Sequence, residues 1–127
     1  MTTPVSVEAI IKEYIEHRER SQFYGKKKLD AEKEYNKLLA KFNGEENHYS
    51  LEQANTIYNA YLEMIINGEQ STIAQESFAE AEEKLLEVGK VLFEATINAE
   101  VEVNSMRGEP TRRTVRIDYR NGGVMVS

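Results

Sequence analysis

The stretch "KVLFEATINAEVEVN" (Lys90–Asn104) decides the fold, because the spacing of apolar residues changes within it. Before it, apolar residues return every three or four positions, as they do on one side of a helix. After Thr96, Val101 and Val103 alternate with polar residues, and a period of two is typical of a strand with one buried face. We therefore predict a helical part over about residues 5–97 and a sheet over about 98–127.

A second alternating run and a turn signal complete the predicted sheet. Val115, Ile117 and Tyr119 alternate with polar residues. "NGG" at Asn121–Gly123 is typical of a tight turn between paired strands, because Asn and Gly both tolerate a left-handed backbone. The sequence therefore predicts a C-terminal three-stranded antiparallel β-meander, whose apolar face must pack on helices to be stable.

The same turns predict how the strands pair. With a two-residue loop at the second turn, Tyr119 lies opposite Val124. With residues 107–111 as the first loop, Val103 lies opposite Val115. Both pairings place apolar residues on one face of the sheet, so the predicted register is self-consistent.

The first part of the chain is predicted to form a long helix from Val5 to Phe42, with Ser6 as one possible N-cap. Its apolar side is interrupted by polar residues around Gly25, so the segment is either one helix or two helices broken there. An unbroken helix would be about 57 Å long at 1.5 Å per residue. That exceeds the width of a compact domain of this size and favours a partner helix from another chain.

A second helix is predicted from Leu51, capped by Ser50, to about Ile66. "NGEQS" (Asn67–Ser71) then predicts a break or bend, with a third helix after it. The apolar residues of this third helix follow steps of four and three, the spacing of packed helices: Ala74, Phe78, Ala81, Leu85, Val88, Leu92 and Ala95. The predicted fold is α+β in a single domain of residues 1–127, with two or three antiparallel, coiled-coil-like helices before the meander.

The composition excludes several classes of protein. At 127 residues the chain has room for one modest core, and a net charge of −6 makes it acidic. It has no cysteine, so disulfides, thiolate metal sites and cysteine nucleophiles are excluded. It contains neither a signal-peptide pattern nor an apolar run of membrane-spanning length. We predict a soluble cytoplasmic protein with no membrane partner.

No motif for catalysis or cofactor binding is present. The two histidines, His17 and His48, are far apart, and His17 shares a helical face only with Glu13. Two ligands do not make a metal site. No phosphate-binding glycine loop, dinucleotide fingerprint or nucleophile elbow occurs. We predict no catalytic residue, metal or cofactor, and keep a small enzyme with inconspicuous catalytic residues as a third hypothesis.

The C-terminal arginines are the candidate contact surface for an anion or a partner: Arg107, Arg112, Arg113, Arg116 and Arg120. In the predicted register Glu102 lies opposite Arg116, and such pairing predicts an ordinary solvated sheet face. The arginines around the first loop lack this pairing and could bind a phosphate, a carboxylate or an acidic surface. Nucleic acid is a disfavoured partner, because the chain is acidic and no stacking aromatic accompanies the arginines.

The helices supply the leading functional hypothesis, a non-enzymatic protein-interaction module that forms homo-oligomers, most simply a two-fold dimer. Seven tyrosines with no tryptophan, together with the packed-helix spacing, favour association between helices of different chains. The candidate interface residues are Tyr14, His17, Tyr24, Tyr35, Phe78, Leu85 and Leu92. Such a module could be an assembly factor, an adaptor or a small inhibitor with an unidentified protein partner. The alternative is a binder of nucleic acid or a small anionic ligand through the arginine-rich hairpin.

Overall fold

The computed structural model describes residues 5–42 and 48–127. It contains helix α1 (Val7–Lys41), helix α2 (Leu51–Val91), and strands β1 (Thr96–Asn104), β2 (Pro110–Asp118) and β3 (Gly123–Val126). The strands form one antiparallel sheet in the order β1-β2-β3. The predicted α+β fold, helices followed by a three-stranded meander, is confirmed. The connection between the two helices lies partly outside the described residues.

Serine side chains cap the start of both helices. The Ser6 hydroxyl accepts a hydrogen bond from the N–H of Ala9 at 3.3 Å. At α2, the Ser50 hydroxyl accepts from the N–H of Gln53, while the Gln53 side chain accepts from the N–H of Ser50. This reciprocal pair satisfies donors that the first helical turn leaves free. The predicted caps at Ser6 and Ser50 are confirmed.

Each helix is continuous where the sequence suggested an interruption. Helix α1 passes through Gly25 without a break. The predicted break at Asn67–Ser71 and the separate third helix are wrong, because α2 runs unbroken from Leu51 to Val91. The Asn67 amide and the Thr72 hydroxyl donate to carbonyls four residues earlier, at 2.9 and 3.0 Å. Polar side chains that bond along the helix, and a glycine costing only about 1 kcal/mol, do not end a helix that packing stabilises.

Helix α2 ends through a residue with left-handed backbone. Glu94 has φ of 61°, and the N–H of Ala95 donates to the carbonyl of Leu92 at 3.2 Å. This turn leads directly into β1, which begins at Thr96. The change of period in the sequence therefore marks the boundary between helix and strand.

The first hairpin turns two residues earlier in the chain than predicted. Its connection is Ser105–Glu109, and Asn104 lies opposite Pro110, so the predicted pairing of Val103 with Val115 is wrong. The Ser105 hydroxyl accepts from the N–H groups of Arg107 and Glu109 and holds this turn together. Val115 instead lies opposite Ala99. The error is an even number of residues, so the assignment of side chains to faces remains correct.

The second hairpin is looser than predicted. Ile117 lies opposite Val124 and Asp118 opposite Gly123, so the two-residue turn and the pairing of Tyr119 with Val124 are wrong. A type I′ two-residue turn needs left-handed backbone at both central positions, and here Gly122 has it (φ 71°) but Asn121 does not. Tyr119 has no partner in β3, but its backbone N–H donates to the carbonyl of Ala95 at 3.0 Å and its hydroxyl donates to the carbonyl of Leu85 at 2.7 Å.

The chain divides into two compact units, each built around segments of both helices. The first unit contains the described residues up to Arg20 together with Gln75–Ser127. In it, the inner face of the sheet packs with α1 and α2 around a core of Ile11, Tyr14, Ile15, Leu85, Val101, Val103, Val115 and Ile117. The Tyr14 and Phe78 rings lie 5.4 Å apart and join the two helices there.

The second unit, the described residues of Ser21–Ala74, is a helical hairpin. The Tyr35 and Tyr61 rings lie 5.9 Å apart and join the two helices. Among its described residues only Ser71 and Ala74 are buried. The second unit therefore has little enclosed core of its own. The prediction of a single domain stays a prediction.

Candidate interaction surfaces

The five arginines predicted as a contact surface do not form one cluster. Arg107 lies in the β1–β2 connection and Arg120 in the β2–β3 connection, at opposite ends of β2. Between them, Arg112 and Arg116 lie on the exposed face of β2, about 13 Å apart along the strand. Arg113 points to the opposite face. One small anion therefore cannot contact all five guanidinium groups.

Two of these arginines already have acidic partners. The Arg112 Nη2 lies 3.1 Å from Glu100 Oε2, with both side chains well exposed. The Arg113 Nη1 lies 2.6 Å from Glu19 Oε1, and these side chains are only 29% and 30% exposed. The second pair joins β2 to α1, and its partial burial makes it less screened by water than the first. Anion binding at this end of the sheet stays a prediction.

The carboxylate of Asp118 stabilises the turn after β2 through hydrogen bonds. The carboxylate of Asp118 accepts hydrogen bonds from the side chain and the backbone N–H of Asn121 and from the N–H of Arg120. These bonds, the Asn121 side chain first, lower the pKa of the Asp118 carboxyl, with a smaller contribution from the charge of Arg116. The acid stabilises the turn and partly balances the nearby arginine.

Three predicted interface residues lie in or against the core of the first unit. Tyr14 and Leu85 are buried, and Phe78 packs against Tyr14. Most of their apolar surface is therefore used within the chain. The packed-helix spacing that includes Phe78 and Leu85 therefore describes packing that the first unit satisfies internally.

The other predicted interface residues keep some exposed surface. In the second unit, the ring of Tyr24 lies 5.3 Å from that of Phe23, and the half-buried Tyr35 contacts Tyr61. In the first unit, Leu92 is exposed near the end of α2. A role of these residues in association between chains stays a prediction.

The two residues considered as possible metal ligands, Glu13 and His17, do not form a metal site with other side chains among the described residues. The Glu13 carboxylate lies 3.3 Å from the Lys84 ammonium. The Nδ1 atom of His17 is buried, with no hydrogen-bond partner among the described residues. Within residues 5–42 and 48–127, no group of three or more His, Asp or Glu side chains is arranged to hold a metal ion.

An exposed apolar surface lies on α2, within the second unit. At 100° per residue, six large side chains fall within a sector of about 100°. All six are exposed: Leu51, Tyr58, Leu62, Ile65, Ile66 and Ile73. We call this set the outer stripe of α2. Ala60, Met64 and Ala74, which are buried or half-buried, lie on the opposite side of the helix.

The outer stripe is not among the surfaces predicted from the sequence. The predicted second helix ends at about Ile66, so Ile73 falls in a different predicted helix. Plotting residues 51–74 at helical spacing reveals two apolar sides, and this was the signal available from the sequence.

Two open cavities accompany these surfaces. In the second unit, a cavity of about 280 Å³ is lined by Tyr35, Leu39, Tyr49, Ala54, Ile57, Tyr58 and Tyr61. In the first unit, a groove of about 520 Å³ has an apolar floor and a charged rim, lined by Val5, Ser6, Ala9, Ile10, Glu13, Lys84, Glu87 and Val88. Tyr58 belongs to both the first of these cavities and the outer stripe, so aromatic and aliphatic surface is continuous there.

Neither helix, over the residues described, contains a segment both long and apolar enough to cross a bilayer. Comparisons with protein-family models, with curated proteins and with solved structures gave no match to this chain.

Proposed function

We propose that this protein is a non-enzymatic protein-interaction module that self-associates through its helices. The observation that carries the proposal is that α2 has apolar side chains on two opposite sides in the second unit. One side contains Ala60, Met64 and Ala74, and the other is the outer stripe. A helix that is apolar on both sides is typical of the interior of a larger helical assembly.

The exposure of the outer stripe is large for a surface that meets only water. Leu51 is 80% exposed, Tyr58 60% and Ile73 63%. Contiguous apolar patches of this kind mark interaction sites in folded proteins. Full burial of one such side chain contributes about 1.5–3 kcal/mol. Two paired chains would bury twelve stripe side chains, six from each. If each contributes half of that free energy, the sum is comparable with the free-energy cost of association, about 4–15 kcal/mol.

The remaining elements suit a binding role. The sheet supplies half of the buried core residues of the first unit, and its outer face carries paired charges such as Arg112 and Glu100. The assembled helices then offer surface to a further protein partner, as in an assembly factor, an adaptor or a small inhibitor. The cysteine-free composition suits a reducing compartment, and we propose a cytoplasmic location.

A pair of matched substitutions on α2 tests this proposal. Ile66 in the outer stripe is 50% exposed, and Leu86 in the first unit is 59% exposed. We expect Ile66→Glu to raise the dimer dissociation constant about a hundredfold or more, because it buries a carboxylate in an apolar interface. Leu86→Glu lies outside the outer stripe, and we expect it to leave the dimer dissociation constant within about threefold of that of the original chain.

Sedimentation equilibrium measures both dissociation constants, and circular dichroism checks that each variant remains helical. Equal effects of the two substitutions on association would contradict a role for the outer stripe. A chain that is monomeric before any substitution would contradict the proposed function itself.

A further inference from the structure

The residues along the outer stripe of α2 are spaced symmetrically about its middle, and this symmetry indicates which kind of surface can pack on the stripe. Seven positions follow its centre: Leu51, Asn55, Tyr58, Leu62, Ile66, Glu69 and Ile73. The steps between them are 4, 3, 4, 4, 3 and 4, which read the same in both directions about Leu62. Ile65 lies beside this line. A surface that matches itself after reversal is what a two-fold interface between identical chains requires.

The chemistry of the side chains has the same symmetry as the spacing. Reversal about Leu62 places Leu51 opposite Ile73, both of them aliphatic. It also places Tyr58 opposite Ile66, so an aromatic ring meets an aliphatic side chain. Every large apolar residue on the line therefore meets another apolar residue, and Leu62 meets its own copy on the axis.

The two polar interruptions also meet each other. Reversal about Leu62 places Asn55 opposite Glu69, and both side chains are exposed in the chain as described. The Asn amide can donate a hydrogen bond to the carboxylate, so each polar group in the interface gains a partner. A polar residue within an apolar helix seam fixes register and orientation at a cost in stability.

Parallel pairing of the same stripe gives a worse match. It places Glu69 on Glu69 and Asn55 on Asn55, so two carboxylates face each other in a seam with little water. Antiparallel pairing avoids this repulsion. The polar positions therefore distinguish the two directions, which the apolar positions alone do not.

From this self-complementarity we infer that the occupant of the outer stripe is a second copy of this chain, packed antiparallel on α2 with Leu62 on the two-fold axis. The inference rests on the proposed self-association and specifies its surface, direction and register. Helix α1 packs against α2 at Tyr35 and Tyr61, beside the stripe residue Tyr58, whose ring lies 6.5 Å from that of Tyr61. The antiparallel pair of α2 helices is then flanked by α1 of each chain.

Cysteine crosslinking tests the register directly, because the chain has no cysteine of its own. Asn55→Cys and Glu69→Cys are made in separate chains, and one of the two chains carries a mass tag. The two variants are coexpressed, and the dimers are treated with a short bis-maleimide, which links two nearby thiols. Antiparallel pairing brings Cys-substituted positions 55 and 69 together only in the mixed dimer. In dimers of one variant, the two thiols are about 21 Å apart along the axis, since fourteen residues separate them at 1.5 Å each.

We expect the mixed crosslinked dimer to exceed the crosslinked dimer of either variant alone by about tenfold, because only the mixed pair lies within the span of the reagent. Lys33→Cys on the exposed side of α1 serves as the control, and we expect no crosslink when it replaces Glu69→Cys in the mixture. Each variant is first shown by light scattering to associate as the original chain does.

The outcomes separate this inference from the proposed function. Crosslinking of each variant with itself would show parallel pairing and overturn the inference. Absence of any crosslink in a sample that light scattering shows to be dimeric would place the interface elsewhere, which also overturns it. A monomeric original chain would instead contradict the proposed self-association.

Discussion

Gly89 and Tyr119 meet where α2 passes the β2–β3 connection. A Cβ atom on Gly89 would lie 2.5 Å from the Cε1 atom of Tyr119, closer than real carbon atoms approach. The Tyr119 hydroxyl is fixed by its hydrogen bond to Leu85, so the ring has little freedom to move away. The absence of a side chain at Gly89 is therefore a packing requirement of the first unit.

We predict that Gly89→Ala lowers the free energy of unfolding by about 1–3 kcal/mol, the usual cost of overpacking. Gly68→Ala on the same helix is the matched control, because a Cβ atom there meets nothing within 4 Å. It is expected to raise stability by about 0.5–1 kcal/mol, since alanine favours helix. Urea denaturation measures both changes. A neutral effect of Gly89→Ala would contradict the close approach.

A second prediction concerns the hydroxyl of Tyr119. Tyr119→Phe removes the hydrogen bond to Leu85 and is expected to cost about 1 kcal/mol at neutral pH. Burial raises the pKa of Tyr119 above its ordinary value of 10.0, so the folded state favours the neutral phenol. The contribution of the hydroxyl is therefore fully present below pH 10 and is lost as the pH rises through the folded-state pKa.

The stability difference between the original chain and Tyr119→Phe should accordingly narrow above pH 10. Chemical denaturation at several pH values, with the variant as reference, isolates this residue from the other tyrosines. A difference that stays constant or grows above pH 10 would contradict the buried, hydrogen-bonded phenol.

At the scale of the elements, the sheet is joined to α1 by the pair of Arg113 with Glu19. We predict that Arg113→Met lowers the free energy of unfolding by about 1.5–3 kcal/mol, because the substitution leaves a partly buried carboxylate without its partner. Arg112→Met removes a well-exposed pair with Glu100 and is expected to cost about 0.5 kcal/mol or less. Thermal or urea unfolding of the two variants compares them, and similar losses would contradict the difference in burial.

Much of the element structure was predictable from local pattern. The period change near Thr96 and the caps at Ser6 and Ser50 are signals of neighbouring residues, and each was interpreted correctly. The errors came from interactions distant in sequence. Tyr119 has no partner in β3, and its hydroxyl donates to the carbonyl of Leu85, 34 residues earlier, a contact that local pattern does not predict.

The arginines show the same limit at the level of a site. Their faces on β2 followed from alternation, but the partner of Arg113 did not, because Glu19 is 94 residues away in sequence. Likewise, Ile73 joins the outer stripe only because the helix continues through Asn67 and Gly68. Periodicity predicts which residues share a face, and packing decides what that face meets.

At the scale of the whole molecule, self-association should link stability to concentration. If the folded chain pairs through the outer stripe and the unfolded chain does not, mass action stabilises the folded state as protein concentration rises. We predict that the melting temperature increases over a hundredfold rise in concentration, and that Ile66→Glu removes this dependence. A melting temperature independent of concentration in the original chain would contradict coupled folding and association.

The mass of the protein in solution shows whether this chain self-associates, as we propose it does through its helices. Multi-angle light scattering at tens of micromolar protein measures that mass without reference to shape. We predict about 29 kDa, twice the 14.6 kDa of one chain. A mass of 14.6 kDa at that concentration would contradict the proposed self-association.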